Sequence, residues 1–592
     1  MNTIMNNIKK TLCLVLPMML FVGCADLDLS PTNMIAEDAV KNDPKLVEAF
    51  LTKIYHQTRW EPNDHVGQRD GGKTNWKHWR FIDWVNGGEG TLMAPWQEAI
   101  KASEAVPPNS GARESLNYWP YGNIRSANEI IEILNDATFD PTTITEQIGE
   151  ARFLRAFMYL ELAKRYGGVP IELVPKQLDA SYDELMTPRS TLQDTYDQII
   201  ADCDAAIASL PVSAMAGKAT KNAARALKSR AALYAGRIAK YHPQSSDGLT
   251  SIPAGAANGY YTMSHGAASA IIESGKNPLH TGGGTYQKTY SEVLTKKGNS
   301  EAIFVVQYDL ALGKTHMHGY FLMPDGFKAG WGSNTHIYEQ SVERFEYKDG
   351  TPGNKNRALF NNKTWFDIEE VVYQKDPRYL AKAWTPEEVY AGRSVWFHDN
   401  TVGATNNNVK GRAGDVAPRR APTRNRNRGG RLAQHRVPLD GSYEFLPYNG
   451  DESDYVVFRT GEMYLNAAEA AFEIGKPIRA KQLVNAVRNR VGMPAKQQIT
   501  LAKIKNERFV ELFGENHHFY DLKTWRDAEA EIHMAKKVGV KWFRRASDGM
   551  YKARRWNWNF SKNTVFVEKM YWLPIGTGKL ADNPSLIENP GY

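Results

Sequence analysis

Carboxylates at helical spacing are the first residues in this chain that could do chemistry. The sequence NERFVELFGE places Glu507 and Glu511 four residues apart, and Glu515 follows one turn later if the helix continues. A pair of carboxylates can supply the acid and the base of glycoside hydrolysis. Carboxylates on one short helix more often form ion pairs, and Lys505 and Arg508 are close by in sequence. We therefore predict a structural role for these glutamates and no catalytic residue.

A few histidine and aspartate side chains could ligate a metal ion. The candidates are the pair His517 and His518, the pair His316 and His318, and the loop carboxylates Asp451 and Asp454. Neither histidine pair has a third ligand at a recognisable spacing, which a zinc site requires. The sequence therefore predicts no metal site and no cofactor, and it leaves calcium binding by the two aspartates open.

Residues 67–74, GQRDGGKT, match the nucleotide-binding pattern GxxxxGK[ST] letter for letter. A phosphate-binding loop must follow a buried apolar strand and open a helix. The preceding residues, TRWEPNDHV, cannot form such a strand. The match therefore indicates a polar loop, and nucleotide binding is not expected.

Two segments are unusually basic. Residues 411–436 hold eight arginines and a single acidic residue, but no aromatic residue is interleaved with them, as single-stranded nucleic-acid binding would favour. An acidic glycan, lipopolysaccharide or a partner protein would suit this charge, and a solvated loop would explain it equally well. Residues 541–560 mix six basic residues with three tryptophans and could contact a ligand, a partner or neither.

Tryptophan is the most informative residue type, because flat rings stack on the apolar faces of sugars. The chain has 15 tryptophans. Trp76 and Trp79 lie in the polar run GGKTNWKHWR, and Trp331 lies between glycines in KAGWGSNTHIY. Polar or small neighbours favour exposure of these rings, whereas Trp119, in a helical pattern, is predicted to be core. Trp384 is a further loop candidate. The predicted ligand-binding residues are Trp76, Trp79, Trp331, Asn334, Tyr338, Trp365 and Trp396.

The composition excludes several classes of protein. A chain of 592 residues with 42% hydrophobic residues can bury a large core and is not disordered. Its three cysteines exclude a disulfide scaffold. A formal charge of +7 is small for this length and gives little support to a polyanionic partner, so no nucleic acid is expected.

The first residues have the layout of an export signal. Lys9 and Lys10 precede the apolar run TLCLVLPMMLFVG, which is too short to span a bilayer, and Cys24 follows a glycine. This pattern resembles a bacterial lipoprotein signal, so we predict a signal peptide over 1–23 and lipidation of Cys24. The alternative is an ordinary signal peptide with a structural Cys24.

The elements that must position these residues are mainly helical. Periodicity predicts helices over 44–58, 119–137, 144–166, 191–209, 220–241, 458–475, 477–491, 500–514 and 518–530. Paired helices with small residues at their contacts, as in ARALKSRAALYAGRIAKY, predict helix-turn-helix repeats of tetratricopeptide type. Residues 242–453 are rich in Gly, Asn, Trp and Tyr, with short strand candidates such as 301–310, and they predict a large loop-rich insertion.

Several segments resemble the SusD/RagB family of nutrient-binding surface lipoproteins of Bacteroidetes. They are DLDLSPTN after Cys24, EARFLRAFMYLELAKRYGGVPI, FRTGEMYLNAAEAAFEIG, NERFVELFGENHHFYDLKTW and the ending YWLPIGTGKLADNPSLIENPGY. The resemblance implies a mainly α fold of tetratricopeptide-like units. It divides the chain into the signal peptide 1–23, a lipidated tether 24–43 and a SusD-like domain 44–592, with helical repeats over 44–241, the insertion over 242–453 and a C-terminal repeat and tail over 454–592.

The resemblance also implies a function at the cell surface. It implies a lipid-anchored protein of the outer membrane that captures extracellular oligosaccharides without catalysis and passes them to a SusC-like TonB-dependent transporter. It places the ligand face on the early loop and the large insertion. Two alternatives remain: a peptide-binding protein, as some family members are, and a surface glycosidase, for which the sequence offers no defensible carboxylate pair.

Overall fold

The computed structural model describes the backbone of most of the chain after residue 39. The described residues are 40–60, 69–70, 73–74, 90–92, 116–177, 179–316, 319, 335–394, 398–402, 431–432, 450–533, 538–557 and 565–592.

Helices dominate the described chain. They are α1 (Pro44–Gln57), α2 (Tyr121–Asn135), α3 (Pro141–Tyr166), α4 (Tyr182–Leu185), α5 (Leu192–Ser209), α6 (Lys221–Tyr241), α7 (Ala257–Ser274), α8 (Tyr286–Thr295), α9 (Glu339–Val342), α10 (Pro377–Lys382), α11 (Thr460–Glu473), α12 (Pro477–Arg490), α13 (Leu501–Leu512), α14 (His518–Trp525), α15 (Ala528–Ile532) and α16 (Thr577–Asp582).

The strands are short and form small sheets. They are β1 (Arg69–Asp70), β2 (Lys73–Thr74), β3 (Gly90–Leu92), β4 (Ala302–Val306), β5 (Thr335–Ile337), β6 (Val389–Tyr390), β7 (Arg393–Ser394), β8 (His398–Val402), β9 (Arg431–Leu432), β10 (Tyr455–Arg459), β11 (Val538–Arg545) and β12 (Tyr551–Asn557). The pairings are β1 with β2, β4 with β10, β6 with β7, and the three-stranded sheets β12-β11-β8 and β3-β5-β9.

Sequence signals set the helix ends. Asp140 accepts a hydrogen bond from the backbone N–H of Thr143 at 2.8 Å and so caps the start of α3, where proline occupies the first turn. The same helix ends at Gly167, whose φ of 84° lies in the left-handed region. A Cβ there would lie 2.4 Å from the Leu249 carbonyl oxygen, so the site requires glycine. The end predicted for this helix, at residue 166, is confirmed.

Successive helices pack side by side. α3 lies against α5, α5 against α6, α6 against α7, and α7 against α11, which in turn contacts α12 and α13. Small residues bring these helices close: a Cβ on Gly236 of α6 would lie 3.1 Å from the Tyr261 ring of α7. One large apolar cluster runs through these helices, and a second lies between the insertion and the β11–β12 hairpin. The predicted mainly α fold is confirmed.

Two predictions about the helices are wrong. The loop-rich segment 242–453 contains α7, whose buried residues Tyr260, Ser264, Ala268 and Ile271 follow a helical period. Serine and glycine dilute that pattern, which is why hydrophobicity alone missed the helix. The single helix predicted over 518–530 is two helices, because Arg526 adopts a left-handed φ of 63° and ends α14.

A buried ion-pair network links the C-terminal helices to the insertion. Arg459, at the end of β10, binds carboxylate oxygens of Glu301, Glu511 and Glu515, each at 2.7 Å. Lys382 donates hydrogen bonds to Glu515 at 2.8 Å and to the backbone carbonyl of Glu511. All of these side chains are almost completely buried.

Two further arginines complete the network. Arg378 of α10 binds Glu507 at 2.6 Å, Glu511 at 3.1 Å and its near neighbour Asp376. Arg490 of α12 binds Glu511 and Glu301. The structural role predicted for the three glutamates of the NERFVELFGE segment is therefore confirmed.

The network keeps its carboxyls ionised. Burial alone would raise the pKa of Glu515, but Arg459 and Lys382 lower it to about 2. The pKa of Glu511 is likewise lowered, because Arg490, Arg459 and Arg378 outweigh its burial. Neither carboxyl can hold a proton for acid catalysis at neutral pH.

Removing one cation from this network should unfold the protein more easily. Arg378→Met leaves Glu507 and Glu511 short of a partner, and we expect a loss of about 3–5 kcal/mol in the free energy of unfolding, measured by chemical denaturation. The control is Arg125→Met, which removes the exposed pair with Glu129 on α2 and should cost less than about 1 kcal/mol. Equal losses in the two variants would contradict a cooperative network.

The buried Glu388 should give the protein a pH-dependent stability. Its carboxylate accepts the backbone N–H of Thr385 at 3.0 Å, yet burial raises its pKa to about 8. Because the folded pKa lies above the unfolded value of about 4.3, the protonated group stabilises the fold at low pH. That stability is lost as pH rises through 8. Glu388→Gln should therefore gain stability relative to the parent between about pH 5 and 9 in thermal unfolding; parallel pH profiles would contradict this.

Candidate functional site

A three-stranded sheet joins the segments in which the ligand contacts are predicted. β5 pairs antiparallel with β3, with Thr91 opposite His336, and its other edge pairs with β9, with Ile337 opposite Arg431. β3 lies within the tryptophan-rich early segment, β5 follows Asn334 directly, and β9 lies within the arginine-rich segment. Main-chain hydrogen bonds thus bring together parts of the chain that are far apart in sequence, and we call this sheet the candidate ligand face.

Most of the predicted ligand contacts lie outside the described residues. These are Trp76, Trp79, Trp331, Asn334 and Trp396. Cys24 and the signal peptide lie outside them as well. Their roles therefore stay predictions.

The structure describes the two other predicted contacts. Tyr338 follows β5 directly, and only 4% of its surface is exposed, which argues against a stacking role for its ring. Trp365 is half-buried. Its ring lies 4.6 Å from the Arg545 guanidinium carbon and 5.0 Å from the Lys552 ammonium nitrogen. Only Trp365 therefore keeps an accessible ring among the described candidates.

Two other tryptophans considered in the sequence, Trp384 and Trp119, pack against aromatic neighbours. Trp384, a loop candidate by sequence, is fully buried and packs edge-on against Tyr390. Its polar neighbours Lys382 and Thr385 are buried as well, so this loop position offers no ring to a ligand. Trp119 lies just before α2, is half-buried, and packs against Tyr166 at a centroid distance of 5.2 Å at the edge of the core.

A group of hydrogen bonds, which we call the clamp, joins the two ends of the segment between residues 316 and 451, which we call the excursion. The His316 backbone N–H donates to the Asp451 carbonyl at 2.8 Å, so the chain leaves and returns at one antiparallel bridge. The buried Asp451 carboxylate accepts three hydrogen bonds. Their donors are the backbone N–H of Gly319 at 2.6 Å, the backbone N–H of Ser453 at 3.0 Å and the Ser453 hydroxyl at 2.7 Å. His316 Nε2 lies 2.8 Å from the Ser453 carbonyl oxygen. This clamp therefore holds the two ends of the segment together.

The candidate metal ligands have other partners. Asp451 is occupied by the clamp, and Asp454 accepts the backbone N–H of Tyr308 at 3.2 Å. Burial lowers the pKa of His517 well below its usual value, and Arg230, Arg508, Arg459 and Lys164 lower it further. These cations would repel a metal ion at that histidine. Within the described residues, no three His, Cys, Asp or Glu side chains cluster as metal ligands would.

One cavity is lined by residues that no sequence motif marks as functional. It has a volume of about 560 Å³ and opens between α1, α2 and residues 175–177. Phe50, 37% exposed, stands at its wall beside Lys53, Arg125 and Glu129. The helical period places Phe50 on the same side of α1 as the buried residues and so predicts that it is buried. The structure shows instead that Phe50 borders the cavity between α1 and α2.

None of the helices in the described ranges combines the length and apolar character needed to cross a bilayer.

Two family models match the chain over most of its length. The model described as "SusD family" matches residues 300–592, and the one described as "Starch-binding associating with outer membrane" matches residues 27–233. The chain belongs to the SusD/RagB family. A SusD-like protein of Bacteroides ovatus is 22% identical over 539 residues, covering 87% of this chain and 82% of the relative.

Solved SusD-like structures share the fold. A SusD-like protein of Bacteroides fragilis, 22% identical, superposes with a TM-score of 0.64 over 94% of this chain and 99% of its own. A SusD-like carbohydrate binding protein of the same species, 19% identical, gives a TM-score of 0.63 over 92% of this chain and 99% of its own. At these identities the likeness establishes the fold of this SusD/RagB protein.

The clamp at the base of the excursion can be tested with a matched control. Asp451→Ala removes an acceptor from three buried donors, and we expect a loss of about 1.5–3 kcal/mol in unfolding free energy. Hydrogen exchange at the Gly319 and Ser453 amides should accelerate. Asp349→Ala removes the same local turn at an exposed site, where Asp349 accepts the N–H and hydroxyl of Thr351, and should change stability much less. Unchanged amide protection in the Asp451 variant would contradict the clamp.

Proposed function

We propose that this SusD/RagB protein is a non-catalytic, cell-surface glycan-binding lipoprotein. It captures extracellular oligosaccharides and delivers them to a SusC-like TonB-dependent transporter. Family membership carries the proposal, since one matching model is described as starch-binding and associating with the outer membrane. A structural relative is itself described as carbohydrate binding.

The proposed mechanism is binding alone. Tryptophan rings at the candidate ligand face stack on the C–H faces of sugars, while neighbouring polar groups such as Asn334 pair with hydroxyls. The acidic residues that the sequence offered for hydrolysis, Glu507, Glu511 and Glu515, are buried and paired with arginines. They cannot reach a substrate, which supports a role without chemistry.

Lipidation of Cys24 and removal of residues 1–23 complete the proposal. The acyl chains would hold the body on the outer membrane without a spanning helix. A body held in this way stays beside the transporter pore, so a captured oligosaccharide need not diffuse away before uptake.

The binding function can be tested by affinity electrophoresis. We expect the protein to be retarded in native gels by one or more of a panel of neutral and acidic polysaccharides. Trp76→Ala, Trp79→Ala and Trp331→Ala should each weaken that retardation, by about tenfold in Kd if a ring contributes about 1.4 kcal/mol. The control is Tyr182→Ala, which removes a ring with 62% exposure on α4.

Each outcome decides one part of the proposal. Retardation that the three tryptophan variants leave intact would keep glycan binding and move the site elsewhere. An absence of retardation on every gel would contradict polysaccharide binding and favour peptide ligands, which calorimetry with peptides would then reveal. Release of reducing sugar from any polymer would contradict the non-catalytic role.

A further inference from the structure

The β11–β12 hairpin turns one face to the core and the other outward. Val540, Trp542, Tyr551 and Ala553 pack in the second apolar cluster. Because side chains alternate along a strand, the residues between them point away from this cluster. The other set comprises Lys541, Phe543, Arg545, Lys552 and Arg554, of which Lys541 is buried, the next three are half-buried and Arg554 is exposed.

Aromatic rings and cations are interleaved on this outward face. Phe543 lies directly opposite Lys552 in the hairpin, and the Lys552 ammonium is 5.6 Å from the Phe543 ring centre. Trp365 joins them from the insertion, held there by the bridge between Phe366 and Tyr551. Its ring contacts both Arg545 and Lys552. Cation–π contacts of this kind hold a cation in place while its N–H groups remain available to an anion.

Three arginines of the basic segment 541–560 form ion pairs within the protein. Arg544 binds Glu387 at 3.0 Å, Arg555 binds Glu343 at 2.9 Å, and Arg545 binds Asp548 at 2.5 Å. These pairs explain part of the basic segment as structure.

Lys552 and Arg554 differ from those arginines. Neither forms an ion pair with any residue that the structure describes. Lys552 contacts the half-buried rings of Trp365 and Phe543, and the exposed Arg554 lies two residues further along β12 on the same face. Two such cations, one of them against aromatic rings, complement a ligand that is both anionic and ring-shaped.

We propose that this outward face, formed by Trp365, Phe543, Lys552 and Arg554, binds acidic saccharides. The carboxylate or sulfate groups of the sugar meet Lys552 and Arg554, while its C–H faces contact the two rings. The inference rests on the proposed glycan-binding function and narrows the ligand to anionic glycans.

Charge reversal on this face tests the inference. The double variant Lys552→Glu/Arg554→Glu should weaken binding of polygalacturonate or chondroitin sulfate by at least about tenfold, as expected for loss of charge-assisted contacts. Trp365→Ala should weaken binding of the same polymers. The control, Lys45→Glu/Lys53→Glu, makes the same change of net charge at exposed lysines of α1. Circular dichroism and thermal unfolding of each variant show whether the fold is retained.

A matched neutral ligand separates this inference from the proposed function. Carboxyl-reduced polygalacturonate keeps the sugar rings and loses the charge, and we expect it to bind at least about tenfold more weakly than its parent. Equal binding of the two polymers, or equal losses in the control double variant, would overturn the acidic site while leaving glycan binding intact. Single-stranded DNA that binds this face as tightly as the acidic polymers would overturn its assignment to saccharides. Failure of every polymer to bind would overturn the proposed function itself.

Discussion

The requirement that every buried charge find its partner governs this structure. Glu511 is completely buried and contacts three arginines that come from α10, α12 and the end of β10. An ionised group in that position is tolerable only when all its partners are in place, because desolvation costs several kcal/mol per ion. Helices α10, α12 and α13 and the strand β10 must therefore assemble together. The insertion is thereby joined to the helical scaffold by charge as well as by apolar packing.

The same requirement for a partner applies to buried polar groups at the ends of the segment that contains β5, a strand of the candidate ligand face. The excursion that carries β5 starts and ends at the His316–Asp451 clamp, whose acceptor oxygens are buried and occupied. Polar bonds of this kind have strict geometry, so they fix position more narrowly than apolar contacts do. Binding residues most often lie on long loops that a rigid scaffold holds in position.

The helical scaffold could be predicted from sequence because its signals are local. The period of 3.6 residues, the proline at the start of α3 and the glycine at its end each act within one or two turns. The sequence predicts that Glu507, Glu511 and Glu515 form ion pairs, but it does not identify their partners. Arg378, which binds Glu511, lies 133 residues away from it along the chain. No local pattern identifies such partners.

The candidate site was harder to predict, because exposure is a property of the folded chain. Trp384 has polar neighbours in sequence and is nevertheless fully buried, since Lys382 beside it donates to backbone carbonyls and to Glu515. Polar neighbours therefore do not guarantee an exposed ring. Phe50 shows the converse, because a residue on the apolar side of its helix borders a cavity. Trp76 and Trp79 also have polar neighbours in sequence, so their substitution is informative.

The sheet β3-β5-β9 has a consequence for how such a protein changes over evolutionary time. Its pairings, such as Thr91 with His336 and Ile337 with Arg431, are made by main-chain atoms. Any residue except proline supplies those atoms. Side chains beside the sheet can therefore be replaced without loss of the pairing that holds the three segments together. One scaffold can in this way acquire a new ligand by a handful of substitutions, while the buried charges beneath it stay under strict selection.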